Sequence, residues 1–158
     1  MIQFHIFWND KNRDCSVNYI KDREDVFIYE QREVALGTVG SWHFADKILL
    51  QIGAEPLTSR DDRKDLILID MGWKDALKLS KRFPQDIQRR SISGFKTAYP
   101  RTKKSSIRPD GGLRSIECMF VAKLIVTGIE DKGLLRNYHF REKFLEINRD
   151  NIEKYWNK

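Results

Sequence analysis

"LRSIECMFVAKLIVTG", residues 113–128, carries the strongest strand signal in the chain. Ile116, Cys118, Phe120, Ala122, Leu124 and Val126 alternate with Glu117, Met119, Val121, Lys123 and Ile125. Period two is the side-chain repeat of a β-strand. Because much of the second set is apolar too, the pattern predicts a central strand buried on both sides. Just before it, Pro109-Asp110-Gly111-Gly112 reads as a tight turn that would bring Arg108 and Arg114 together at the strand's root.

Working outward, "IQFHIFW" (2–8) places Ile2, Phe4, Ile6 and Trp8 on one side, which predicts a strand with one well-buried face. "CSVNYI" (15–20) and "DVFIYEQ" (25–31) read as two more short strands, with the polar "KDRED" (21–25) as a hairpin connection. An antiparallel opening follows. "GSWHFADKILLQIG" (40–53) reads as a helix: Ser41 can cap it, Gly53 can end it, and Trp42, Ala45, Leu49 and Ile52 share a face. "LILID" (66–70) reads as a buried strand, and "GWKDALKLSKRF" (72–83) as a helix that clusters Trp73, Ala76 and Leu77. Asp150 and Glu153 form a capping-box-like start to a last helix holding Ile152, Tyr155 and Trp156. The fold class expected is α+β: a single domain over residues 1–158, with a mixed, largely antiparallel sheet packed by about three helices.

Composition bounds the function. At 158 residues, with 41% hydrophobic and 33% charged residues, the chain can bury a core and lies outside the disordered range. No run of eighteen apolar residues suggests a membrane span, and the start of the chain does not read as a secretory signal. Cys15 and Cys118 are too few for a disulfide framework and lack zinc-binding spacing, so both are expected to be reduced in a cytoplasmic protein. Neither a metal nor a cofactor is expected. The phosphate loop GxxxxGK[ST], the dinucleotide fingerprint GxGxxG, the serine-hydrolase elbow GxSxG and the zinc-deaminase pattern are all missing.

Charge is the most informative feature. Net charge is +6, yet residues 81–114 hold ten cations against Asp86 and Asp110 alone, so the rest of the chain is slightly acidic. Such asymmetry points to a polyanionic partner, RNA or DNA. Pro84, Pro100 and Pro109 exclude a continuous helix there, so residues 84–114 are expected to form a basic loop region. Arg89, Arg90, Lys96, Tyr99, Arg101, Lys103, Lys104, Arg108 and Arg114 are the candidate nucleic-acid contacts. The cations would neutralise phosphates, while Phe95 and Tyr99 offer faces on which bases can stack.

Two rival readings use other residues. In a small nuclease, His43 and His139 would act as acid and base, or carboxylates among Asp61, Asp62, Asp65, Asp70 and Glu117, with Lys123, would hold a metal. In a protein-interaction module, an inhibitor or adaptor, the basic loop would dock on an acidic partner surface. The four tryptophans, Trp8, Trp42, Trp73 and Trp156, read mainly as core packing.

Overall fold

Five strands form the centre of the molecule in the computed structural model, which describes residues 1–9, 16–30, 42–100 and 112–156. They are β1 (Phe4–Trp8), β2 (Val26–Glu30), β3 (Lys47–Leu50), β4 (Asp65–Asp70) and β5 (Gln88–Arg90). Their order across the sheet is β2-β1-β4-β3-β5, and every neighbouring pair is parallel. Phe4 of β1, for example, sits opposite Val26 on one side and Leu66 on the other. The fold is therefore α/β, and the expectation of a largely antiparallel sheet is overturned.

The physical reason lies in β1 and β4. A parallel strand must be reached by a crossover that covers a sheet face, so its interior strands are buried on both sides. Phe4, His5, Ile6 and Phe7 are all buried, and so are Leu66, Ile67 and Leu68. The supposed exposed side of "IQFHIFW" faces a second core. The hairpin expected to join residues 15–20 to 25–31 is not formed by their described part either: Ser16–Tyr19 is a 3-10 turn leading into β2, which runs parallel to β1.

Residues 113–128 supply the second correction. They form helix α2 (Ser115–Thr127), closed by Gly128 in the left-handed conformation at φ 71°. Nine of its thirteen residues are buried, so the helix has no broad polar face from which a 3.6-residue period could be read. A thirteen-residue run is also more than twice the usual strand length. The third correction is the stretch 40–53. Its described part holds a short 3-10 turn (Phe44–Asp46) followed by β3, not a helix. Ile48 and Leu49 pack on opposite faces of the sheet, as strand neighbours must.

Two cores result. On one face, α2 covers Phe4, Ile6, Ile48, Leu66 and Leu68, backed by Phe144 of helix α3 (Arg141–Ile147) and Ile152 of helix α4 (Arg149–Glu153). On the other, Leu79 of helix α1 (Trp73–Ser80) joins Phe83 and Ile87 over Phe7, Leu49 and Ile67. Each large side chain buried this way contributes about 1.5–3 kcal/mol before entropy is counted. No helix among the described residues is long and apolar enough to cross a membrane.

Candidate functional site

Open parallel sheets bind ligands beyond the carboxyl ends of their strands, and the described residues place a cavity of about 330 Å³ there. Its floor is the end of β3 (Leu50, Gln51) and of β4 (Ile69, Asp70). One wall is the first two turns of α1, which present Trp73, Ala76 and Leu77. These are the i, i+3 and i+4 positions of one helical stripe. The stripe read from the sequence as core faces a cavity instead, leaving Leu77 and the neighbouring Ile52 partly exposed at its rim. The opposite wall is Thr97, Tyr99, Leu113, Arg114 and Ser115.

The polar groups are few and placed. Asp70 is the one carboxylate and Arg114 the one guanidinium among the described lining residues. Ser115 donates its hydroxyl hydrogen to Asp70 Oδ1 at 2.7 Å, joining the end of β4 to the start of α2. The Arg114 guanidinium lies 3.5 Å from the centre of the Tyr99 ring, a cation–π stack. Tyr99 in turn meets Phe140 edge-on at 5.7 Å. Gln51 Oε1 accepts from Ser80 Oγ at 2.9 Å and from Arg89 Nε at 3.0 Å, which fixes the side of the cavity next to α1.

The candidate contacts divide. Arg89 points inward: besides Gln51 it donates to the carbonyl of Ser80 at 3.2 Å and to that of Gln85 at 3.3 Å. Arg90 is paired with Asp61 at 3.3 Å and Glu55 at 3.2 Å. Both lie on β5, so the basic region is not one loop from residue 84 onward. Lys96 is exposed, and Tyr99 and Arg114 line the cavity. Arg101, Lys103, Lys104 and Arg108 lie outside the described residues.

The nuclease candidates are dispersed. His43 is exposed just ahead of β3, at the amino end of the sheet, so the length of that strand separates it from the cavity. His139 is exposed and packs edge-on against Phe140. Neither is among the described lining residues. Asp61 serves as a cap, accepting the backbone N–H of Thr58 at 3.0 Å, and Asp65 pairs with Lys47 at 3.4 Å. Lys123 is tied to Asp131 at 2.7 Å and Asp25 at 3.2 Å, away from Glu117. No group of three or more potential metal ligands occurs among the described residues. A second hollow of about 440 Å³, beside α3 and α4, sets Glu130, Glu142, Glu146 and Glu153 against Lys132 and Arg149, a net negative lining that does not suit a polyanion.

The sequence suggests Asp70 and Glu117 as candidate metal ligands and Trp73 mainly as core. The order "LILID-MGW", a buried strand ending in an acid and turning at once into a helix, was the available signal for a group at a strand's carboxyl end.

No family model and no curated protein matches the chain. Among solved structures it is similar to the SAM-dependent rRNA:acp-transferase Tsr3 from Vulcanisaeta distributa. The TM-score is 0.68 at 22% sequence identity, over 98% of this chain and 83% of that one. At that identity the likeness establishes a shared fold.

Proposed function

We propose that this chain is an RNA-binding transferase that takes S-adenosylmethionine in the cavity at the carboxyl ends of β3 and β4. The observation that carries the reading is the cavity itself: apolar walls with one carboxylate and one guanidinium, on the fold of a SAM-dependent rRNA-modifying enzyme. The residues fit such a ligand. A volume of about 330 Å³ suits a nucleoside-sized molecule. Leu50, Trp73 and Leu77 supply apolar surface for a base, and Asp70 supplies an acceptor for hydroxyl groups. Arg114, stacked on Tyr99, supplies a cation for the carboxylate of an amino-acid moiety. When bound, the cofactor supplies an electrophilic carbon next to a sulfonium, with a neutral thioether as the leaving group. The chain's own residues orient it and keep water from the apolar walls.

RNA is the acceptor the charge favours. Arg101, Lys103, Lys104 and Arg108 fall, in sequence, between Tyr99 and Arg114, and both of those line the cavity. These four cations and the exposed Lys96 would supply the phosphate contacts. Among the described residues, the histidine nuclease and the adaptor readings find no comparable gathering of groups.

Incubation of the protein with RNA and S-adenosylmethionine, labelled either in the methyl group or in the amino-acid portion, tests this directly. Label should enter RNA from one of the two donors and not enter DNA, and calorimetry should show binding of the cofactor. Charge reversal at Arg101, Lys103 and Lys104 should abolish salt-dependent RNA binding while leaving cofactor affinity intact. The reading fails if the cofactor does not bind, or if those reversals leave RNA affinity unchanged.

A further inference from the structure

Glu117 is fully buried, and no cation is bonded to it among the described contacts. Its carboxylate is satisfied by three neutral donors. Oε1 accepts the backbone N–H of Ala98 at 3.0 Å and the Tyr138 hydroxyl at 2.7 Å, and Oε2 accepts the backbone N–H of Arg114 at 2.9 Å. Burying a carboxylate without a counter-ion is costly, and the first turn of α2 offsets only part of that cost through the helix dipole. Such a group at a point of ordinary packing would be out of place. The atoms it holds explain it, because Ala98 immediately precedes Tyr99, and Arg114 carries the guanidinium stacked on Tyr99.

We propose that Glu117 is a positioning residue: one buried carboxylate clasps the two backbone segments that carry Tyr99 and Arg114, and so sets the wall of the cavity. A second buried polar side chain supports the same segment. Asn148 accepts from Lys96 N at 2.8 Å and donates to Lys96 O at 2.8 Å, so residues 96–98 are held from α4's leading edge as well as from α2. The Tyr138 phenol is held in its protonated, donating form, chiefly by burial and then by its bond to the Glu117 carboxylate. The consequence for binding rests on the cavity being the cofactor site; the clasp itself does not.

Glu117→Gln tests it without changing shape. All three partners are donors, and an amide offers only one acceptor oxygen. Whichever way the amide turns, its NH₂ meets the N–H of Ala98 or that of Arg114. One of those two amides should therefore exchange with solvent about tenfold faster or more, and affinity for S-adenosylmethionine should fall by about the same factor. Val126→Ala, at the far end of the same helix, serves as the control for general destabilisation and should leave both readouts at wild-type values. Tyr138→Phe removes only the phenol bond and should move both readouts the same way by a smaller factor. It carries the test if Glu117→Gln does not fold. Unchanged exchange at both amides, or a loss of affinity no greater than that of Val126→Ala at matched thermal stability, overturns the proposal. If the wild type fails to bind the cofactor, the transferase reading falls, and amide exchange alone still decides the role of Glu117.

Discussion

Arg89 and Arg114 stand near the two ends of the same basic segment, and they are used in opposite ways. The Arg89 guanidinium is consumed by the protein, bonded to Gln51 and to carbonyls at the end of α1 and beyond. Arg114 is half-buried against a tyrosine ring and faces a cavity. Both count equally in a sum of charges. Only the second is placed to meet a ligand. Arginine's five N–H groups must be satisfied wherever it is taken from water, so a cation on a strand beside a helix end is drawn into the frame. One at a helix start beside an open cavity keeps donors for something else.

The first way to break this contrast is to remove Arg89. Arg89→Ala takes one of two donors from the Gln51 oxygen, which keeps the Ser80 hydroxyl, and removes the guanidinium from the carbonyls of Ser80 and Gln85. It should cost about 2–3 kcal/mol of stability, since each lost bond to a charged group carries a large share of that figure. Thermal denaturation should show a fall of roughly 5–10 °C for a chain of this size. RNA affinity per folded molecule should keep its salt dependence. A variant as stable as the wild type but deficient in RNA binding would reverse the assignment. The complementary change, Arg114→Gln, should cost less than about 1 kcal/mol, because the backbone bond to Glu117 and the Tyr99 ring both remain. Its affinity for S-adenosylmethionine should fall about tenfold by calorimetry, the loss of one charge-assisted contact. Equal affinity with lowered stability would make Arg114 another internal residue.

What the sequence disclosed follows the same physics. β1, β4 and α1 were legible because short apolar runs between polar breaks, and an i, i+3, i+4 stripe, are local patterns. The direction of the strands was not legible. It depends on which faces are covered, and "IQFHIFW" cannot show that the side carrying His5 and Phe7 is buried beneath a second layer. α2 was misread for a related reason: a helix surrounded by core loses its polar face, and residual alternation in "IECMFVAKLIV" then mimics a strand. The stop signal was present at Gly128, a left-handed helix end. At the site, the charge asymmetry led to Tyr99 and Arg114. It could not separate them from Arg89 and Arg90, whose partners Gln51, Asp61 and Glu55 come from elsewhere in the chain.

The smallest expected effect concerns charge that is also spent internally, at the amino end of the sheet. His5 is buried between Tyr29, whose hydroxyl lies 3.1 Å from Nδ1, and Asp65, 3.6 Å from Nε2. Burial, followed by the nearby Lys47 ammonium, lowers its pKa below the ordinary 6.5, against the opposing pull of Asp65. The folded state therefore resists protonating His5. Its contribution is complete above the unfolded value of 6.5 and is lost as pH falls through the lower folded value. Asp25 is held below 3.8 chiefly by its bond to Arg23; at Asp131, burial opposes ionisation but the bonds from Lys123 and Arg23 outweigh it. Their contribution is present above 3.8 and disappears as pH drops through their lower folded values. Stability against urea should thus decline in two stages, a shallow one beginning below about pH 6.5 and a steeper one below about pH 4. His5→Phe should erase the first stage and leave the second. Cofactor affinity of that variant at pH 7.5 should equal the wild type's, because His5 lies at the other end of the sheet from the cavity. If the shallow stage survives the substitution, another group governs it; if affinity falls with it, the two ends of the sheet are coupled and the separation between structural and available charge does not hold.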